Sequence, residues 1–154
     1  MSARLLLPRR RLLGAAAGLG LVLQLRPAMA VSAAPTLRAV ELQWAAGKPV
    51  TEGRVLLDIA PLVENGNAVP IRVRVDSPMT PADHVQEIIV FNERNPQPHV
   101  VTARFSRHSG QAMLATNIRL ATSQTILAVA AFSDGSFWSD SAQVIVTLAA
   151  CLEG

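Results

Sequence analysis

The sequence predicts an all-β fold: an immunoglobulin-like antiparallel β-sandwich of about seven strands with a short N-terminal helix. The hydrophobic pattern changes from a helical period to a period of two after Gly47. Seven β-rich runs then follow at intervals of about ten residues, separated by turn-forming residues. Only one short helix is available to cover an apolar sheet face, so we expect a second sheet to cover it.

The N-terminal helix is expected over residues 36–46. Leu37, Val40 and Trp44 follow one another at spacings of three and four residues, which places them on one helical face. The first residue of this segment is a threonine, which is a suitable N-cap. Gly47 is a suitable residue for the end of the helix.

The clearest predicted strand runs from Val69 to Val75, where four apolar residues alternate with Pro70, Arg72 and Arg74. Gly110 and Gly135 can adopt a positive φ without steric cost, so each predicts a hairpin between the strands beside it. The other predicted strands are Val55 to Ile59, Val85 to Asn92, Val100 to Arg107, Gln111 to Leu120, Thr125 to Phe132 and Phe137 to Leu148.

The length and composition of the chain fit one modest domain. It has 154 residues, of which 50% are hydrophobic, with 9 Gly and 10 Pro. This apolar content excludes an acidic disordered chain, and the low Gly and Pro content excludes a collagen-like repeat. The chain is also too short for a multidomain enzyme.

The first 30 residues predict a signal peptide. They hold five of the 14 Lys and Arg residues and none of the 11 Asp and Glu residues, with an apolar run from Leu12 to Leu25 and then Ala28-Met29-Ala30. The run is shorter than the roughly twenty residues of a membrane span, which disfavours the alternative of a membrane anchor. The remaining chain has nine basic and eleven acidic residues, so its charge gives no reason to expect nucleic-acid or membrane binding.

The arginines of this segment indicate the route of export. Arg9-Arg10-Arg11 is followed by two leucines, the spacing of a twin-arginine signal, with Pro8 where such signals usually have Ser or Thr. That route carries folded proteins, so folding or partner assembly before export is expected. An ordinary secretory leader with an arginine-rich start is the alternative. We expect a periplasmic protein.

Cys151 is the single cysteine, so no disulfide can form within the chain. It stands three residues beyond the last predicted strand. In extended form these residues carry its sulfur on the order of 10 Å beyond the sheet, where it can enter the active site of another protein. The alternatives are a frayed terminus whose thiol has no role and an intermolecular disulfide.

The sequence predicts no catalytic residue, cofactor site or metal site elsewhere. His84, His99 and His108 lack the spacing of metal ligands and are expected to be solvated turn residues. One cysteine cannot form a haem attachment motif. The nucleophile elbow of hydrolases and the glycine loop of phosphate-binding proteins are also missing from the sequence.

Some arginines and one aromatic pair are candidates for protein contacts. The arginines form either a docking surface or a solvated sheet face. The aromatic pair is either core beside a turn or a seat for a partner subunit. These residues are Arg72, Arg74, Arg104 and Arg119 on predicted strands, and Phe137-Trp138.

Five segments occur in order along the chain: Val63–Pro70, Asn92–Pro98, Ile118–Ala121, Ser133–Trp138 and the terminal Val-Thr-Leu-Ala-Ala-Cys. Together they resemble the SoxY family, the sulfur-carrying subunit of the SoxYZ carrier of periplasmic thiosulfate oxidation. The resemblance implies an immunoglobulin-like sandwich that forms a heterodimer with a SoxZ-like subunit. It also implies a covalent substrate carrier rather than an enzyme.

In this family the C-terminal cysteine, here Cys151, is implied to be the attachment point of the intermediates. A SoxAX-type cytochrome couples thiosulfate to the thiol. A SoxB-type hydrolase removes the terminal sulfone as sulfate, and a SoxCD-type sulfur dehydrogenase oxidises the remaining sulfane sulfur. The resemblance implies that these three are transient partners.

The expected organisation is a signal peptide over residues 1–30, a SoxY-like β-sandwich over residues 31–148 and a carrier arm over residues 149–154. The family tail is Gly-Gly-Cys-Gly-Gly, whereas the arm here consists of Ala149, Ala150, Cys151, Leu152, Glu153 and Gly154. The alanines stiffen the arm, and the charge of Glu153 disfavours the thiolate. We therefore expect a divergent carrier. The alternative is a non-catalytic periplasmic immunoglobulin-like binding or assembly module in which Cys151 is incidental.

Overall fold

The computed structural model of the protein describes residues 36–148. The predicted signal peptide over residues 1–30 and the predicted arm over residues 149–154 lie outside the described residues. Residues 36–148 all belong to one compact unit. Over this range, no helix has both the length and the apolar character that a membrane crossing requires.

One helix and nine strands make up residues 36–148. In chain order they are α1 Leu37–Trp44, β1 Val50–Glu52, β2 Val55–Ile59, β3 Leu62–Asn65, β4 Val69–Val75, β5 Val85–Asn92, β6 His99–Arg104, β7 Ala112–Ile118, β8 Gln124–Phe132 and β9 Phe137–Leu148.

Helix α1 forms where the sequence predicts it. The hydroxyl oxygen of Thr36 accepts a hydrogen bond from the Ala39 N–H at 3.3 Å and so caps the helix. Gly47, just beyond the helix, has a φ of 77°, a conformation that favours glycine. The predicted apolar face packs on the outer side of the larger sheet. The packed residues are Leu37, Val40 and Trp44 on the helix and Ile89, Phe91, Leu127 and Val129 on the sheet.

Two sheets enclose the main core. The larger has the strand order β1-β9-β8-β5-β6, with β3 also paired to β9, and the smaller has the order β2-β4-β7. In β4 every second residue is buried and the residues between are exposed, as its period of two predicts. The predicted sandwich with a short N-terminal helix is confirmed. Its largest fully buried side chains include Phe132, Ile88, Leu120 and Ile126.

All seven predicted strands are present, and the structure adds two short strands at one edge of the larger sheet. Strands β1 and β3 are additional, and both pair with β9 in parallel. Strand β1 begins directly after Pro49 and β3 directly after Pro61. Because they have only three and four residues, they are too short to show an alternation that predicts a strand. Strand β9 has 12 residues and supplies the backbone to which both pair.

One of the two predicted hairpins is confirmed. Gly135 has a φ of 80° between β8 and β9, which pair antiparallel. Gly110 also has a positive φ, of 72°, but β6 belongs to the larger sheet and β7 to the smaller. The hairpin predicted there is wrong because the segment crosses between the sheets, and Phe105 within it packs against the core.

Candidate functional site

Strand β9 leads towards the predicted attachment residue. Its last described residue, Leu148, pairs with Asn65 of β3, and Ile145 pairs with Leu62. On the opposite side β8 begins at Gln124, so β9 continues four residues past the last β8 pair. Cys151 is three residues beyond Leu148 in the sequence and lies outside the described residues. So do the other predicted arm residues: Ala149, Ala150, Leu152, Glu153 and Gly154.

The end of β9 is held from both sides. The hydroxyl of Ser123 accepts a hydrogen bond from the Val146 N–H at 2.9 Å and lies 3.5 Å from the Val146 carbonyl, to which it donates. The Thr147 hydroxyl donates to the Glu64 carbonyl of β3 at 3.2 Å. Because β8 begins only opposite Val144, the Ser123 side chain supplies the hydrogen bonds to Val146 that a longer β8 would supply from its backbone. We call this end of the sandwich the arm end; it comprises residues 64–67, 92–97, 119–124 and 145–148.

The Asn95 side chain connects two loops of the arm end. Its Oδ1 accepts hydrogen bonds from the Ala121 N–H at 3.0 Å and from Gln124 Nε2 at 2.8 Å. Its Nδ2 donates to the Arg119 carbonyl at 2.8 Å. Gln124 is only 2% exposed, and its Oε1 accepts from the Arg94 N–H at 2.9 Å. The buried, fully bonded Gln124 amide and the partly buried Asn95 amide together hold the loops in one arrangement.

A second buried amide fixes the turn that carries Asn95. Asn92 is 2% exposed, its Oδ1 accepts from the Asn95 N–H at 3.0 Å, and its Nδ2 donates to the Gln97 carbonyl at 2.9 Å. The Leu120 N–H donates to the Gly66 carbonyl at 2.8 Å, which joins the turn after β3 to the same end. Three segments noted in the sequence therefore meet where β9 finishes. They are residues 63–70, 92–98 and 118–121.

Sequence reasoning did not identify Ser123, Asn95 or Gln124 as site residues. Two signals were available in the sequence. Ser123 and Gln124 are polar residues directly before an apolar strand, and Asn95 belongs to an Asn-x-x-Asn-Pro turn at residues 92–96. Such residues often only form local turns. Their common role depends on contacts between residues 23 to 30 positions apart in the sequence, which the sequence pattern does not show.

The arm end carries charges of both signs. The Thr125 N–H donates to the Glu93 carboxylate at 3.0 Å. Hydrogen bonds from the backbone and side chain of Thr125 lower the pKa of Glu93 below its ordinary value, and the nearby Arg94 adds to this effect. Within residues 36–148, the ion pairs involve neither Arg94 nor Arg119.

The four arginines considered as a docking surface do not form one. Arg72 and Arg74 are exposed on the outer face of the smaller sheet, and Arg72 lies 4.0 Å from Asp58. Arg104 is at the end of β6 in the larger sheet. Arg119 follows β7 at the arm end. The four are therefore divided between both sheets.

The aromatic pair at the start of β9 serves packing. Phe137 meets the Trp44 ring edge-on, with 5.5 Å between ring centroids. Trp138 packs against the main core, and its Nε1 donates to the Ser136 hydroxyl at 3.2 Å. The two side chains point to opposite faces of the strand, which agrees with the interpretation as core beside a turn.

The three histidines are separate in the structure. His84 Nδ1 lies 3.0 Å from the Thr80 carbonyl oxygen, and His99 Nε2 lies 2.7 Å from the Thr102 hydroxyl. His108 Nε2 accepts from Arg107 at 3.1 Å. In the part of the chain that the structure describes, no three His, Cys, Asp or Glu side chains lie close enough to hold a metal ion.

Known structures share the sandwich. The sulfur carrier protein SoxY from Chlorobium limicola f thiosulfatophilum superposes with a TM-score of 0.58 at 22% identity, over 71% of this chain and 96% of that one. Superoxide reductase (neelaredoxin) from Ignicoccus hospitalis gives 0.55 at 14% identity over 61% and 80%. Superoxide reductase from Nanoarchaeum equitans gives 0.53 at 13% identity over 62% and 100%. At these identities the likeness shows the fold alone.

Sequence comparison adds the family. No curated protein sequence matches the chain. The family model of the sulfur oxidation protein SoxY matches residues 42–151, more than two thirds of the chain, and the match ends at Cys151. It spans all of the arm end and nine strands of the sandwich. The chain belongs to the SoxY family of sulfur oxidation proteins.

Proposed function

We propose that the protein is a sulfur carrier that holds thiosulfate-derived intermediates covalently on Cys151 and presents them to partner enzymes. The family match that extends to Cys151 carries this proposal. The Chlorobium protein of the same fold is a sulfur carrier protein by its description. The arrangement of the arm end supports it, because β9 is paired up to Leu148 and Cys151 follows three positions later, a reach of about 10 Å in extended form.

The proposed chemistry begins with loading. The Cys151 thiolate and the sulfane sulfur of thiosulfate form an S–S bond, and two electrons leave to a SoxAX-type cytochrome. A SoxB-type hydrolase then adds water to the terminal sulfone, which leaves as sulfate with release of two protons. A persulfide remains on Cys151. Three further waters and loss of six electrons and six protons to a SoxCD-type sulfur dehydrogenase convert the persulfide to an S-sulfonate. A second hydrolysis restores the thiolate.

The chain provides attachment and presentation in this scheme, and the partners provide catalysis. A SoxZ-like subunit completes the carrier as a heterodimer. The periplasm is the proposed location, supported by the twin-arginine pattern of the predicted signal peptide. The alanines and the Leu-Glu pair of the arm make this carrier thicker around the sulfur than a glycine tail, so its partners need a wider channel.

Intact-mass analysis tests the proposal. The purified carrier with its partner subunit is incubated with thiosulfate and the oxidised cytochrome. We expect one thiosulfonate adduct per chain, and none in the Cys151→Ser variant. Because the chain has one cysteine, the assignment is unambiguous. An unmodified thiol under these conditions would exclude the carrier role and favour a binding or assembly module.

A further inference from the structure

Helix α1 carries a carboxylate on the face that packs against the larger sheet. Glu41 lies one turn after Leu37 and three residues before Trp44, and it is only 5% exposed. Its Oε2 accepts a hydrogen bond from Arg38 Nη1 at 2.7 Å. Arg38 itself is largely exposed, so the pair lies at the border of the helix–sheet contact. Removal of a carboxylate from water costs free energy, and one ion pair with an exposed partner recovers only part of that cost.

A cleft of about 250 Å³ opens beside Glu41, between α1 and strands β1, β8 and β9. We call it the α1 cleft. Glu52 of β1 and Ser139 of β9 both line it and are direct partners in the parallel pairing. The residues on either side of Ser139 point into the sandwich: Trp138 packs against the main core, and Asp140 Oδ2 accepts a hydrogen bond from a backbone N–H of the smaller sheet at 2.8 Å. Glu52 and Ser139 therefore lie on the side of the sheet that α1 covers.

The α1 cleft contains hydrogen-bond acceptors that no described residue uses. Ser139 is 5% exposed, and its hydroxyl makes no hydrogen bond within residues 36–148. The same holds for Oε1 of Glu41 and for the Glu52 carboxylate. Across that range, no side-chain N or O atom is both fully enclosed and without a partner. These oxygens therefore reach the open volume of the cleft, where a ligand can satisfy them.

The charge of the α1 cleft favours a cation. Glu41 and Glu52 contribute two negative charges and Arg38 one positive charge, so one negative charge is left over. A metal ion is disfavoured, because the described part of the chain contains no group of three His, Cys, Asp or Glu side chains that could hold one. An ammonium group carries three N–H donors, which match the two carboxylates and the Ser139 hydroxyl.

The remaining wall of the α1 cleft is apolar. It consists of Leu37 of the helix, Val50 of β1 and Leu127 of β8. Such a wall suits a methylene chain that ends in an ammonium group, because these chains pack on apolar surfaces while their charged ends stay in polar surroundings. The volume is below the roughly 300 Å³ at which sites for drug-sized molecules begin, so the ligand is small.

We propose that the α1 cleft binds a primary ammonium ion on a short aliphatic stem, with its N–H groups donating to Glu41, Glu52 and Ser139. A free alkylamine and the side chain of a lysine on another protein share this chemistry. The proposal does not depend on Cys151 or on the carrier function.

NMR titration of the ¹⁵N-labelled protein with pentylammonium chloride tests the proposal. We expect saturable shifts of the amide resonances of Glu41, Glu52 and Ser139. 1-Pentanol has the same stem without the charge, so its Kd should be at least about tenfold higher. Glu41→Gln keeps an oxygen for Arg38 but removes the negative charge, and it should raise the Kd for pentylammonium about tenfold.

Glu52→Gln is a second variant, because it alters an exposed strand position and should leave the fold intact. It should raise the Kd about threefold, since solvent screens this carboxylate more than that of Glu41. Glu64→Gln is the matched control, because Glu64 is an exposed carboxylate on β3 outside the cleft. Its Kd should equal that of the unaltered chain.

A second probe, Nα-acetyl-lysine N-methylamide, identifies the source of the ammonium group. Similar Kd values for both probes would assign the cleft to a lysine side chain of a protein, and binding of pentylammonium alone would assign it to a free amine. The proposal is overturned if no saturable shift occurs, if 1-pentanol binds as tightly, or if neither glutamine variant at Glu41 and Glu52 changes the Kd. Stronger displacement by magnesium chloride than by sodium chloride at equal ionic strength would assign the carboxylates to a divalent cation and also overturn it.

Discussion

The hydroxyl of Ser123 holds the backbone of Val146 through both its N–H and its carbonyl, at 2.9 and 3.5 Å. The two residues are 23 positions apart in the sequence. Strand β9 extends beyond its last pair with β8, and there the Ser123 side chain supplies the hydrogen bonds that a paired strand would otherwise supply.

Replacing Ser123 with Ala should loosen the end of β9. The Val146 N–H loses its acceptor, so we expect its amide hydrogen exchange to become about tenfold faster and the free energy of unfolding to fall by about 1 kcal/mol. Hydrogen exchange followed by NMR measures the first effect. Ser123→Thr keeps the hydroxyl and should largely preserve protection. Equal protection of Val146 in the alanine variant would contradict this role.

Replacing Asn95 with Ala should destabilise the arm end. The change removes three side-chain hydrogen bonds and leaves the buried Gln124 amide with one acceptor fewer. We expect the free energy of unfolding to fall by about 2 to 3 kcal/mol, measured by urea denaturation. Asn67→Ala at the exposed turn of the same end is the control and should change it by less than about 0.5 kcal/mol. Equal effects of the two substitutions would argue against the network.

The hydrogen bonds of Glu93 make a small part of the stability depend on pH. Its pKa in the folded protein lies below the ordinary value of 4.5. The carboxylate therefore stabilises the fold fully above that value, and the stabilisation is lost as the pH falls through the lower folded pKa. We expect the difference in unfolding free energy between the unaltered chain and Glu93→Gln to shrink between about pH 6 and about pH 3.

This difference should amount to only ~0.5 kcal/mol, because the carboxylate is exposed and solvent screens it. Glu52→Gln is the control, since Glu52 is exposed on β1 and makes no side-chain hydrogen bond within residues 36–148. This variant removes a carboxylate of the same type without removing a side-chain hydrogen bond. A Glu93→Gln difference that is independent of pH would be inconsistent with the proposed cause.

The charge of Glu153 should slow the reaction of Cys151 with alkylating agents. Glu153 is the second residue after Cys151 in the sequence, and a negative charge at about 6 Å in water disfavours the thiolate by about 0.7 kcal/mol. We expect Glu153→Gln to react with iodoacetamide about threefold faster at neutral pH and low salt. Glu52→Gln should react at the unaltered rate. A rate that responds equally to both substitutions would point to net charge and not to proximity.

Patterns within single segments predicted much of the fold. The alternation over Val69–Val75 and the helical spacing of Leu37, Val40 and Trp44 both correspond to elements of the structure. Hydrophobic periodicity works for such segments because each element buries one face, and burial follows the element's own repeat. The family was also recognisable from sequence, since its segments occur in order along the chain.

Pairing between distant segments could not be predicted in this way. Strands β1 and β3 depend on the free backbone edge of β9, and the Gly110 turn joins two sheets although its local geometry suits a hairpin. Backbone hydrogen bonds carry no side-chain pattern, so three- and four-residue strands leave no signal in the sequence.

The sequence by itself determined that this protein is a two-sheet sandwich of the SoxY family with one cysteine shortly after its last strand. Only the tertiary structure decided that Ser123, Asn95 and Gln124 gather where that strand finishes, and that Glu41 and Ser139 line one cleft. The physical reason is that composition and periodicity describe which residues are buried. Contacts between segments tens of residues apart arise only when packing brings their backbones together.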